Sequence, residues 1–262
     1  MNANKHAVKP VSFAVTNAVF IGRSLRHSLR NMESLMMAVM LPVMLMLLFT
    51  YVFGGAIAPG GDYVNYVVPG IILLCAGFGS SSTAVDVATD MSNGIIDRFR
   101  TMPIRSISVV TGHVAASLVR NLLATCIVIG VALLVGFRPS AGLAEWLGAL
   151  GVIILFILAF TWLFAAIGLV TGSPSAASGY GFALLFLPYL SSAFVPTSTM
   201  PSWLQGFAGH QPITPVIETI RGLLAGSADA GYAWQAAAWC AAILALSVLW
   251  CAISFRRRGG RR

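Results

Sequence analysis

The sequence predicts an all-α polytopic membrane protein forming one transmembrane domain over residues 1–262, and three observations predict it. Hydrophobic residues make up 58% of the chain and charged residues 9%, with a mean hydropathy of +0.85, more apolar surface than a soluble domain of this length can hide from water. Six windows are apolar over the roughly 20 residues needed to cross a bilayer; they cover residues 35–54, 64–88, 107–136, 146–171, 178–197 and 234–255. The basic residues behind the net charge of +8 sit at the chain ends and in one loop, where they act as topology signals and not as a nucleic-acid surface.

Along residues 10–32, Val11, Val15, Ala18, Leu25, Leu29 and Met32 share one helical face while Arg23, Arg26, His27 and Arg30 occupy the other. That spacing predicts an amphipathic helix lying along the cytoplasmic interface, its basic face toward anionic headgroups. No compact apolar core with a small-residue cleavage site follows Lys5 and Lys9, so the first spanning helix is expected to direct insertion. That helix contains Pro42, which removes a backbone hydrogen bond and predicts a kink. The second helix ends in the polar run Ser80, Ser81, Ser82, Thr83 and then Asp86. In the third, Arg120 costs roughly 3 kcal/mol to insert, outweighed by fifteen Val, Leu and Ile residues at roughly 0.3 to 0.6 kcal/mol each. Asp86 and Arg120 are the intramembrane charges and functional candidates by default, with mutual pairing, snorkelling or a proton relay as their roles.

Charge sets the orientation. With the N-terminus cytoplasmic, that side carries 13 of the 16 Lys and Arg residues, the opposite side only Arg138 and Arg221. The positive-inside rule then places both termini in the cytoplasm, and the tail Arg256, Arg257, Arg258, Arg261 and Arg262 toward anionic lipid.

The loop after the second helix, 93–104, reads NGIIDRFRTMPI. Ile95, Phe99 and Met102 recur at i, i+4 and i+7 beside Asp97, Arg98 and Arg100, and Pro103 ends the pattern. A short helix of this kind can seat its apolar side in a partner's groove or rest on lipid. Beyond the fifth window, residues 198–233 are too apolar for a plain loop. Two stretches of 11 to 13 residues flank a turn at His210 to Pro212, the second with Val216, Ile217, Ile220, Leu223 and Leu224 on one face and Glu218 and Arg221 able to pair on the other. Each is too short to span, which predicts an outer re-entrant helical hairpin over 200–225.

Catalytic motifs are missing. A P-loop needs a lysine after its glycine-rich turn, and no lysine follows Lys9. The chain carries no HExxH or GxSxG pattern, and Cys75, Cys126, Cys240 and Cys251 fall singly within apolar segments, as free thiols in helix packing. No cofactor, metal or catalytic residue is expected on this chain.

The order of parts resembles the membrane permease of type-2 ABC exporters, the group that includes daunorubicin-resistance, lipid and polysaccharide export permeases. The resemblance covers nearly the whole chain and is most specific in NGIIDRFRTMPI and in the outer run SSAFVPTSTMPSWLQGF followed by HQPITPVIETIRGLL, where Gln211 stands before Pro212 in place of the family's usual Asn. It implies an interfacial connecting helix over 10–32 and a coupling helix built from Asn93, Gly94, Ile95, Asp97, Arg98, Phe99, Arg100, Met102 and Pro103. It also implies a second permease subunit, identical or not, and two copies of a separate ATPase that holds ATP and Mg. The implied function is outward export of a hydrophobic or amphipathic substrate across the bacterial cytoplasmic membrane, with Phe49, Phe78, Phe186 and Tyr189 offering aromatic surface to the path. An ion-coupled secondary transporter using Asp86 or Arg120 is the alternative, and an intramembrane hydrolase using His113 or His210 ranks behind it.

Overall fold

The computed structural model describes residues 22, 32–58, 63–94 and 107–259, and every regular element among them is helical. Most of the interfacial helix expected over 10–32, the coupling stretch from Ile95 to Pro103 and the end of the basic tail lie outside the described residues.

Helix α1 (Met32–Leu47) continues through a π-helical turn, Leu48–Phe53, into a last turn, Gly54–Ile57. It runs through Pro42, whose missing N–H would otherwise close on the carbonyl of Ala38. The Cys75 thiol of the next helix donates to that carbonyl at 3.4 Å, replacing the lost bond from outside. Helix α2 (Tyr63–Ser92) follows, then α3 (Ile107–Val135) and α4 (Leu143–Val170). A shorter α5 (Pro174–Leu184) precedes the paired short helices α6 (Ser202–His210) and α7 (Ile213–Leu224), and α8 (Ala230–Gly259) follows.

The core is organised on α2, which packs against α1, α3, α4 and α5. Of its spanning window 72% is buried, against 17% for the window of α1, so α2 is the axis and α1 a peripheral helix. Small residues allow this. A methyl group on Gly168 of α4 would collide with the backbone carbonyl of Ala84, and one on Gly79 with the Asn121 side chain of α3. In lipid, helix association relies on such close packing and on interhelical hydrogen bonds, because acyl chains are as apolar as the helices themselves. The polar run on α2 is satisfied within its own helix in part: the Ser81 hydroxyl donates to the Phe78 carbonyl and the Ser82 hydroxyl to that of Gly79, each at 2.8 Å.

Among the described residues, five helices are long and apolar enough to cross a membrane, Ala38–Ile57, Tyr63–Ser92, Val109–Val135, Leu143–Val170 and Ala230–Ser254. The window expected at 178–197 is not a sixth continuous helix. Helix α5 stops at Leu184, a 3-10 turn follows at Leu187–Leu190, and residues 191–196 are irregular. Pro188 has no N–H to offer the Leu184 carbonyl, so the ladder breaks where apolar composition alone would continue it. The broken segment nevertheless follows α2 in antiparallel fashion: Gly181 lies beside Ser81, Leu185 beside Gly77 and Ala193 beside Gly70. The 18 steps along α2 from Tyr63 to Ser81 rise about 27 Å at 1.5 Å each, close to the depth of a hydrocarbon core.

Two short helices form over the residues expected for the hairpin, with the turn at Gln211 and Pro212. Helix α7 is enclosed by α2, α4 and α8, and it buries Val216, Ile217, Ile220 and Leu224. Helix α6 buries Ala208 but exposes Trp203 and Phe207.

Replacing Gly168 with Ala should lower the thermal midpoint of the purified chain in detergent, with a cost of about 1 to 3 kcal/mol for forcing two backbones apart. Gly151 on the same helix has open space around it, so Gly151→Ala should be neutral or slightly stabilising. Equal midpoints for the two variants would contradict the packing described.

Candidate functional site

Of the coupling residues expected from the sequence, Asn93 and Gly94 are described. They terminate α2: the Asn93 N–H donates to the Thr89 carbonyl at 3.0 Å and the Gly94 N–H to that of Met91 at 3.1 Å. Gly94 takes a φ of +66°, the left-handed stop that favours glycine, so the chain leaves α2 at a defined point before the charged stretch begins. Ile95, Asp97, Arg98, Phe99, Arg100, Met102 and Pro103 fall outside the described residues.

A polar seam runs between the antiparallel helices α2 and α3. At one end His113 Nε2 and Asp90 Oδ2 are 3.0 Å apart. Further in, Arg120 Nη1 lies 3.7 Å from Asp86 Oδ2, while its Nη2 donates to the Gly79 carbonyl at 3.2 Å and to the Ser82 hydroxyl. Asn121 then donates to Ser80 and Ser117, and the Thr161 hydroxyl of α4 donates to Ser80 at 3.1 Å. The two intramembrane charges picked from the sequence are therefore together. Their exposures differ: the Arg120 side chain is 7% exposed and that of Asp86 42%. A buried guanidinium needs this many acceptors, because water is not there to supply them. Of the two histidines considered for hydrolysis, His113 meets Asp90 and the His210 ring approaches the Gly206 carbonyl of its own helix at 2.9 Å.

The aromatic residues proposed for a path also converge, through a ring that composition did not single out. Phe49 of α1 stacks on Phe194 at 4.3 Å between centroids, and Phe194 stacks on Tyr189 at 5.3 Å. Tyr189 meets Phe186 at 6.1 Å, Phe186 meets Phe182 edge-on at 5.1 Å, and Phe53 adjoins Phe49 at 5.5 Å. These spacings fall in or near the range where aromatic pairs attract beyond simple burial. Phe194 is buried while Phe53, Phe182 and Phe186 are exposed, so the ladder joins α1 to the broken segment with one side open. Phe78 packs partly buried against the core of α2 instead. Phe194 lies five positions past Tyr189, off the helical spacing that Phe182, Phe186 and Tyr189 keep, so no periodicity in the sequence singles it out.

What holds the broken segment is a set of side-chain donors from α2 and from the pair α6 and α7 with its turn. Gln211 is buried and donates to the carbonyls of Leu187 at 3.2 Å and Leu190 at 2.7 Å. Tyr63 donates to the Phe194 carbonyl at 2.7 Å and Tyr66 to the Ser192 carbonyl at 3.0 Å. Arg221 reaches the carbonyls of Ser192 at 2.8 Å and Tyr66 at 3.0 Å, pairs with Glu218, and sets its guanidinium 3.8 Å from the centre of the Tyr66 ring. The Glu218 and Arg221 pairing expected from their spacing is present; the wider reach of Arg221 and the work of Gln211 depend on residues more than twenty positions away.

The ABC-2 type transporter family profile matches residues 17–225. The chain is 32% identical over 185 residues to the daunorubicin resistance ABC transporter permease protein DrrB1 of Streptomyces coeruleorubidus, covering 70% of this chain and 65% of that protein's length. It is 27% identical over 191 residues to the probable doxorubicin resistance ABC transporter permease protein DrrC of Mycobacterium tuberculosis, covering 73% of this chain and 69% of that protein.

Gln211→Leu should destabilise the chain by about 1 to 3 kcal/mol, because the buried Leu187 and Leu190 carbonyls lose this donor. Gln205 also bonds two carbonyls, those of Ser198 and Met200, but at an exposed site where water substitutes, so Gln205→Leu should stay within about 0.5 kcal/mol of the parent. Unfolding in a graded denaturing detergent separates the two.

Proposed function

The chain belongs to the ABC-2 type transporter family, and from that membership we propose that it is the membrane-spanning permease subunit of an ATP-driven exporter. The observation that carries the reading is the family match over most of the chain, joined by likeness to permeases named for daunorubicin and doxorubicin resistance. The cargo is a hydrophobic or amphipathic molecule, drug-like by analogy with those relatives. ATP and Mg are bound and used by a separate ATPase subunit, present in two copies, and a second permease subunit, identical or not, completes the path. The protein spans the bacterial cytoplasmic membrane with both termini in the cytoplasm, as the distribution of Lys and Arg supports. Residues 174–196 cross as an interrupted helix, making the sixth passage, and the α6 and α7 pair dips into the outer leaflet. Anionic lipid is met by the basic face expected over 10–32 and by the arginine tail.

In this reading the segment 93–103 docks in the ATPase with Ile95, Phe99 and Met102 in its groove and Asp97, Arg98 and Arg100 fixing orientation. Gly94 transmits the push to α2 because it ends that helix at a fixed point. The path runs along the open side of the aromatic ladder, so Phe49, Phe186 and Tyr189 keep their assignment and Phe194, Phe182 and Phe53 join them. Its wall can change shape: the broken segment is held by a few side-chain bonds, and exchanging them costs less than unwinding a regular helix in lipid. Asp86, half exposed on α2 and held by Arg120, keeps α2 and α3 in register as they rock.

Replacing Phe99 with Ala together with Arg98 and Arg100 with Glu should leave ATP hydrolysis by the assembled complex running while transport into proteoliposomes falls at least about tenfold. Transport at the parent rate by that variant would remove the docking assignment. Phe194→Ala should reduce transport with smaller effect on hydrolysis, since it opens the ladder and not the coupling end. Transport driven by a proton gradient with ATP absent would favour ion coupling through Asp86 and Arg120 instead.

A further inference from the structure

We propose that the end of the bundle opposite the coupling stretch carries a binding site for a phosphate oxyanion, free in solution or on a lipid headgroup. By the charge count just two basic residues lie at that end, Arg138 and Arg221. Although 83 residues apart in sequence, both line one cavity of about 140 Å³, with Asn65, Ser140, Phe137 and Leu224 among the other walls. That volume is roughly ten times the space a single water needs, room for a tetrahedral oxyanion and part of its hydration.

Three segments are tied together to build it. The Arg138 N–H donates to Asn65 Oδ1 at 2.9 Å, and the Ser140 N–H donates to the Leu224 carbonyl at 3.1 Å. Because a backbone N–H can only donate, the first bond fixes which atom of the Asn65 amide is oxygen and leaves its NH2 group as a donor. Gly136 at φ +118° and Gly226 at φ +68° turn the two loops that meet here, and Ser140 Oγ lies 3.6 Å from where a methyl group on Gly226 would stand.

The charges are unequally committed. Arg221 is held by Glu218, by the carbonyls of Tyr66 and Ser192 and by the Tyr66 ring, so it is a fixed cation partly neutralised by one carboxylate. Arg138 bonds the carbonyls of Leu133 and Phe137 through Nη1 and is otherwise exposed, leaving Nε and Nη2 to a ligand. Glu218 cancels one of the two charges, and the cavity keeps one net positive charge with guanidinium, amide and hydroxyl donors, the set that recognises phosphate through charge-assisted bonds. The geometry stands apart from the transport reading; only the naming of this end as opposite the coupling stretch rests on it.

The test uses the purified full-length chain in nanodiscs of phosphatidylcholine, titrated with inorganic phosphate and separately with dihexanoyl phosphatidic acid, bound phosphorus being followed by 31P NMR. Saturable millimolar binding is expected, weakened about tenfold or more by Arg138→Gln. Asn65→Asp still accepts the Arg138 N–H but brings a negative charge into the cavity, and it should abolish binding without moving the thermal midpoint, which covers the case in which the arginine variant fails to fold. Binding of both probes marks a site for free phosphate as well as headgroups, and binding of the lipid alone marks a headgroup site. No saturable binding of either probe to the parent chain, or binding by both variants equal to the parent's, overturns the proposal. Because neither transport nor ATP hydrolysis is read, failure here leaves the permease assignment untouched, and failure of that assignment leaves this one standing.

Discussion

Backbone carbonyls in an apolar environment must find donors within the protein, and the structure of this chain turns on how that demand is met between residues 187 and 194. A helix there would satisfy itself. Pro188 prevents it, and the carbonyls of Leu187, Pro188, Leu190, Ser192 and Phe194 are answered by Gln211, Ser191, Tyr66, Arg221 and Tyr63. Those donors come from α2 and from the outer helices as well as from the segment itself, so breaking one helix fastens three parts of the molecule together. The turn residue Gln211 and the ion pair at Arg221 are thereby structural supports of the segment that carries the aromatic ladder.

The same demand shapes α2. It is the most enclosed of the long helices, yet it carries Ser80, Ser82, Thr83, Asp86 and Asp90. Ser80, Ser82, Asp86 and Asp90 are tolerated because α3 brings Asn121, Arg120 and His113 into register with them, and Ser81 and Ser82 also bond carbonyls of their own helix, while the buried Thr83 hydroxyl has no hydrogen-bond partner among the described residues. A mutual arrangement of this kind costs little only while the helices keep their register. The seam therefore behaves as a rail along which α2 and α3 stay matched, while α1, with few buried residues and with a π-helical turn facing the ladder, is the more loosely held wall.

Much of the architecture is legible in linear sequence. The windows that became α1, α2, α3, α4 and α8 were readable from length and apolarity, and α2 merely extends four residues further than apolarity suggested because Asp90 is paired and Gly94 supplies the stop. The short helices α6 and α7 were readable from stretches too short to span. The window at 178–197 reads as one continuous helix because composition weighs Phe and Leu and gives no weight to what one proline does to the bonding of its neighbours. At the candidate site, Phe49, Phe186 and Tyr189 were recognisable as aromatic residues, but Phe194, which connects them, is distinguished only by the ring on either side of it.

What the sequence determined by itself are the quantities that add residue by residue: the transfer free energy of each apolar window, which sets the class, and the distribution of Lys and Arg, on which the proposed orientation rests. What the tertiary structure alone decided is where those sums do not govern. The Cys75 thiol beneath Pro42, Gln211 beneath the broken segment, and Arg221 reaching the Tyr66 carbonyl 155 residues away are pairwise matches between distant positions. A hydrogen bond exists only when donor and acceptor meet within about 3.5 Å. No property of either residue taken alone contains that distance.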